Sequence, residues 1–167
     1  MLVPAICYKE ELLRKFAKEI YTERYFFYTG YGHSHNLPVI SETDSDNIYQ
    51  YAIIDKKKNV IGWFAYRIYT DTQSAENFGL YAFDDENYSI MRNALVLGHD
   101  VFNKMEELVN TYHRVSWRLI QGNPIESSYD KFCAKHNGNK VVLHDVTVDP
   151  WGQYRGESIY EIISSKN

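Results

Sequence analysis

The amino-acid sequence predicts an α+β fold, with helices flanking one mixed, mostly antiparallel central sheet. Three observations carry this expectation. The chain has 167 residues, of which 44% are hydrophobic and 24% charged, the size and balance of one globular domain. Its apolar residues alternate over some stretches and recur every three to four residues over others, the marks of strands and helices. No internal repeat, low-complexity tract or Pro/Gly/Ser linker divides it, so residues 1–167 are read as a single domain.

The run from Leu2 to Cys7 is interrupted by Pro4 and has no basic region before it. It fits neither a signal peptide nor a membrane span, and the protein is expected in the cytoplasm with Cys7 and Cys133 reduced. Residues 9 to 24 read as a helix with Leu12, Leu13, Phe16 and Ile20 on one face. Tyr25 to His35 then packs five aromatic residues around Gly30 and Gly32, a loop by its turn residues.

Ile48 to Asp55 and Val60 to Tyr69 form a hairpin across the turn Lys56 to Asn59, and Glu76 to Phe83 is a third strand. Ala94, Leu95, Val101, Phe102, Met105, Leu108 and Val109 mark the longest helix. Val115, Trp117 and Leu119 alternate with polar residues in a strand. A helix of about 13 residues is expected next, with Asn123 as cap, Pro124 at its first position, Glu126 completing a capping box and Asn137-Gly138 as the stop. Two strands, Lys140 to Val148 and Arg155 to Ile163, close the chain around Pro150 and Gly152.

Charge and composition exclude some functions. With 18 Lys and Arg against 22 Asp and Glu, the formal charge of −4 supplies no field to attract nucleic acid or an anionic membrane. The outlying figure is aromatic content, 15 Tyr, 8 Phe and 3 Trp, which suits half-buried strand faces or a pocket for the uncharged part of a ligand. His33-x-His35 has a metal-like spacing but no nearby cysteine, and Cys133 with His136 lacks an orienting carboxylate in sequence, so neither metal chemistry nor a thiol nucleophile is expected.

The order of elements, and above all the segment Asn123-Pro124-Ile125-Glu126-Ser127-Ser128-Tyr129-Asp130-Lys131, resembles the GNAT superfamily of acyl-CoA N-acyltransferases, whose Asn-Pro-Ala-x-x-x-Tyr-Glu-Lys segment also lies between a buried strand and the last helix. The resemblance implies acetyl-CoA as cosubstrate, no metal, and transfer of the acetyl group directly to a small-molecule or peptide amine; a homodimer is left open. Carried over residue by residue, it makes Tyr129 the general acid and Glu76 the general base. Leu80, Ala82, Asn87, Ser89, Ile90, Arg92 and Asn123 would hold the cofactor, and Tyr28 and Tyr31 would border the acceptor. The family's phosphate-loop glycines are replaced here by Ile90 and Arg92, and Asp84, Asp85 and Glu86 precede them.

Each residue also has a plainer reading. Tyr129 shares an apolar helix face with Ile125, Phe132 and Cys133 and reads as core; Glu76 reads as a solvated strand carboxylate, and Asn123 as a helix cap. Gly79 marks a bulge, a close backbone approach or a gap in packing. The corresponding function is a GNAT-like binding or regulatory module without catalysis, and an aromatic interaction domain is a third reading.

Overall fold

The computed structural model describes residues 1–22, 25–26, 37–41, 47–83, 90–149 and 151–164, with backbone alone over 90–97. Strand β1 (Leu2–Pro4) pairs antiparallel with β2 (Ile48–Ile54), Leu2 opposite Ile53 and Pro4 opposite Tyr51. Three residues are too few to show a period, and Pro4 is tolerated because β1 is an edge strand. A 3-10 turn, Ala5–Tyr8, leads into helix α1 (Lys9–Glu19). The helix stops short of residue 24. Thr22 turns back on it, its N–H and hydroxyl both donating to the Glu19 carbonyl at 2.8 and 2.7 Å, which is how threonine competes with a continuing helix.

The rest of the order is β3 (Val60–Tyr69), β4 (Ser74–Ala82), α2 (Ile90–Thr111), β5 (Arg114–Ile120), α3 (Glu126–Lys135), β6 (Asn139–Val148) and β7 (Tyr154–Ile163). They form one seven-stranded sheet in the order β1-β2-β3-β4-β5-β7-β6, antiparallel except where β5 lies parallel to β4. α2 and α3 cover one face, where Val101, Met105, Tyr129 and Phe132 pack on Phe64, Val115, Trp117 and Tyr160. α1 covers the other face over β2 to β4 only. Phe16 is its anchor, with ring centroids 4.9 Å from Phe83, 5.3 Å from Tyr81 and 5.7 Å from Trp63. Much of the aromatic excess is core.

Two irregularities matter for function. Ala65 faces Gly79 and Arg67 faces Glu76, so Asn77 and Phe78 together oppose Tyr66 in a β-bulge, with Asn77 at φ 54°. The bulge reverses the alternation, so that Ala75 before it and Phe78, Leu80 and Ala82 after it all meet the α2–α3 face. Second, β4 and β5 pair only at Ser74–Arg114 and Ala75–Val115, while β5 pairs with β7 along its whole length. Beyond the bulge the two parallel strands share no ladder, leaving a wedge in the sheet.

Gly79 is settled by packing. A Cβ there would lie 2.6 Å from Cζ3 of Trp63, so the absent side chain makes room for the indole. The last helix also differs from expectation, spanning Glu126–Lys135 rather than starting at Asn123. Asn123 Oδ1 accepts the Ile125 N–H at 3.2 Å and Glu126 Oε2 accepts the Gly122 N–H at 3.3 Å. The capping groups therefore close a turn just ahead of the helix, within the usual latitude of helix ends. Its stop is as expected: Asn137 takes φ 52° and Gly138 N–H donates to the Cys133 carbonyl at 2.9 Å.

Candidate active site

Of the residues to which the resemblance points, Glu76, Leu80 and Ala82 lie on β4, which borders the wedge, and Asn123 follows β5. At the closed end of the wedge Glu76 lies on the α1 side of the sheet. Ser74 Oγ and Arg114 Nη1 each donate to Glu76 Oε1 at 2.8 Å, and Arg114 Nε donates to Glu161 Oε1 at 2.5 Å. Those bonds orient the carboxylate and leave Oε2 without a partner among the described residues. A base needs such a lone pair within reach of substrate. No residue of β5 or β7 belongs to the apolar cluster under α1, and this half of the face is mixed, carrying Ser116, Arg118, Glu157 and Glu161 with Ile120, Ile159 and Ile163 beside Glu76 and Arg114.

At the open end, Leu80 and Ala82 are half-buried on the α2–α3 face. Asn123 follows β5 and is 6% exposed, its Oδ1 engaged in the turn described above. The backbone of Ile90 and Arg92 forms the first turn of α2, where free N–H groups favour an anion. Asn87, Ser89, Tyr28 and Tyr31 lie outside the described residues, as does His33-x-His35. Tyr25 and Phe26, from the start of the same aromatic segment, are buried, and Tyr25 packs on Phe16 and Tyr81.

Tyr129 is 4% exposed. Its ring lies 5.5 Å from Trp117, 5.8 Å from Phe102 and 6.0 Å from Tyr160. Trp117 in turn meets Phe78 of β4 at 6.2 Å, so one aromatic ring separates Tyr129 from the bulged strand. Nε1 of Trp117 is buried without a hydrogen-bond partner. That donor was not legible in the sequence, where Trp117 is one apolar position of an alternating strand.

An ion-pair cluster fixes α3, and with it Tyr129, to the terminal hairpin. Lys140 Nζ donates to Asp130 Oδ1 at 2.8 Å and Glu126 Oε1 at 3.1 Å, while Tyr160 Oη donates to Asp130 Oδ1 at 2.7 Å and Ser158 Oγ to Glu126 Oε1 at 2.9 Å. The Lys140 and Tyr160 hydrogen bonds hold the Asp130 carboxyl below its usual range. Burial opposes ionisation of Glu126, but the bonds from Lys140, Ser158 and Gly122 still lower it. Both folded values lie below the unfolded ones. Their contribution to stability is therefore complete above the unfolded carboxylate range of about 3.9 to 4.3 and is lost as pH falls through the folded values. Lys140→Met should lower the melting temperature by about 2–4 °C at pH 7. The gap from wild type should close toward pH 3, read by calorimetry; a gap independent of pH would remove the ion-pair account.

Cys133 does not pair with His136. Its thiol, raised by burial, donates to the Asn139 carbonyl at 3.5 Å, while His136 Nε2 lies 3.0 Å from Glu106 Oε2. Both cysteines are free thiols. Among the described residues no group of three His, Cys, Asp or Glu side chains could hold a metal ion, and no described helix is long and apolar enough to cross a membrane.

No protein-family model matches the sequence, and no curated protein matches it. Solved structures do. A protein provisionally named phosphinothricin N-acetyltransferase superposes over 99% of both chains with a TM-score of 0.63 at 15% identity. The chain has the GNAT acetyltransferase fold. A provisionally assigned acetyltransferase of Acinetobacter baylyi ADP1 matches 98% of this chain and 91% of its own, with a TM-score of 0.66 at 10% identity. The spermidine/spermine N-acetyltransferase SpeG of Vibrio cholerae matches 73% of this chain and 68% of its own, with a TM-score of 0.54 at 18% identity. The GNAT fold accounts for the strand order and for the position of α2 after β4.

Proposed function

We propose that the protein is a cytoplasmic N-acetyltransferase that moves an acetyl group from acetyl-CoA directly to a small amine. The wedge carries this reading. Along it the β5-facing edge of β4 from Glu76 to Ala82 has no strand partner among the described residues, and Trp117 of β5, whose buried N–H is unpaired, meets Phe78 of β4 at 6.2 Å. Such an edge suits a ligand arm that brings its own amide donors and acceptors. Leu80, Ala82, Asn87, Ser89, Ile90, Arg92 and Asn123 would hold acetyl-CoA, and Ile90 with Arg92 in place of glycines makes its phosphate contacts weaker than in full-loop relatives.

When bound, acetyl-CoA supplies a thioester carbonyl carbon as electrophile and a thiolate as leaving group. Glu76 Oε2 removes the proton that an ammonium acceptor must lose before its nitrogen can attack. A backbone N–H on the unpaired edge of β4 stabilises the charge that develops on the carbonyl oxygen. The Tyr129 hydroxyl gives its proton to the departing sulfur, and the second proton, which the acylated nitrogen loses on becoming an amide, balances the one that restores the hydroxyl; Glu76 returns its own proton to solvent. The structural neighbours, named as spermidine/spermine and phosphinothricin N-acetyltransferases, support an amine acceptor.

The burial of Tyr129 among aromatic rings favours a second reading, a GNAT-fold module that binds without turnover. Titration with acetyl-CoA should raise the melting temperature with ligand concentration, because binding to the folded state alone stabilises by mass action. Release of free thiol should then require an amine. No shift at millimolar acetyl-CoA removes both readings, and a shift without thiol release across an amine panel selects the second.

A further inference from the structure

On the α1 side of the sheet a cavity of about 340 Å³ opens beside the bulge, between Pro38–Val39 and the strands β2, β3 and β4. It lies within the size range of small-molecule sites. Three of its lining side chains have unmet polar capacity. Gln50 Nε2 donates to the Val39 carbonyl at 3.0 Å, which fixes the amide orientation and leaves Oε1 buried with no donor. Trp63, held in place by Phe16 and by the missing side chain of Gly79, has a buried Nε1–H with no acceptor. Arg67 is half-buried and pairs with no carboxylate among the described residues. Glu76, its cross-strand neighbour, is engaged by Arg114 instead.

Buried donors and acceptors are rarely left unsatisfied, so these three describe a complement. A guanidinium and an indole N–H converge on an anion, and a carbonyl oxygen takes one N–H or O–H of the same ligand. Among the described residues no Asp or Glu lines the cavity to balance a polycation. Asn77 of the bulge forms one wall, and Arg67 stands opposite Glu76 across the ladder, which puts the cavity beside the base. We infer that this cavity is the acceptor subsite and that it takes a small amine carrying an anionic group, a carboxylate or phosphonate, held by Arg67 and Trp63. The inference rests on the acetyltransferase reading for the fate of the amine, though not for its binding.

The test uses the full chain in two arms. Calorimetry at millimolar β-alanine and 2-aminoethylphosphonate reads binding without turnover; thiol release reads kcat/KM for these amines against ethylamine and spermidine. Expected results are saturable binding of the anionic amines, their preference in turnover, and a fall of about 10- to 100-fold in their affinity and kcat/KM in Arg67→Gln, with ethylamine unchanged. Trp63→Phe, which removes the indole N–H together with part of the ring, should weaken the same ligands. Binding lost in Arg67→Gln while no amine is acetylated would leave the subsite standing and sink the acetyltransferase reading. Turnover that favours spermidine or ethylamine, binding of neither anionic amine, or an equal loss for every amine in Arg67→Gln would overturn the inference.

Discussion

Tyr129→Phe is expected to lower kcat by about 10²- to 10⁴-fold, the usual worth of general acid catalysis, with little change in acetyl-CoA affinity or melting temperature. The substitution keeps the ring that packs on Phe102, Trp117 and Tyr160 and removes only the hydroxyl. Loss of one buried hydroxyl's hydrogen bond usually costs about 1 kcal/mol, whereas the rate loss corresponds to roughly 3 to 5 kcal/mol of barrier. The two effects separate in one protein. Tyr160 is the internal control: burial, then the hydrogen bond to Asp130, raises its hydroxyl well above the usual tyrosine value, so it is a poorer acid at neutral pH. Tyr160→Phe should cost stability and leave turnover near normal. If Tyr129→Phe turns over at the wild-type rate, the Asn123 to Lys131 segment is a feature of fold and not of mechanism.

The fold was largely legible because its elements are long enough to show a period. β3 announces itself through ten residues rich in aromatic and branched side chains, and α2 through a long run of helical apolar spacing. β1 is too short to do so, and its pairing with β2 is a contact between residues about fifty positions apart. The first helix ends early because Thr22 offers a local hydrogen bond, a side-chain event that periodicity does not register. The site was legible only where a motif named it. Tyr129, Asn123 and Glu76 came from the resemblance, but the partners that define their chemistry come from other strands: Arg114 on Glu76, Trp117 beside Tyr129. Gln50, Trp63 and Arg67 had no local signature. Their significance lies in what fails to pair with them once β2, β3 and β4 are aligned, which is a property of register and not of spacing.

Glu76→Gln should reduce kcat/KM at neutral pH by about 10²- to 10⁴-fold, and its pH profile is the more telling result. The amide oxygen can still accept from Ser74 and Arg114, and Arg114 keeps its bond to Glu161, so the local structure survives. What disappears is the Glu76 carboxylate that takes the proton. Under the proposed mechanism the wild-type protein binds an ammonium acceptor and removes the proton in place, so kcat/KM does not follow the neutral fraction of the acceptor. The Gln variant can use only acceptor that is already neutral. Its kcat/KM should therefore climb about tenfold per pH unit toward the acceptor's own pKa, near 10.4 for a lysine-type amine, and recover much of the deficit there. A Glu76 that merely anchors Arg114 behaves otherwise: Gln then lowers the melting temperature slightly, and both proteins share one pH profile. Parallel profiles with turnover within about twofold of wild type would reassign Glu76 to holding the closed end of the wedge, and the proton would have to leave the amine by way of solvent.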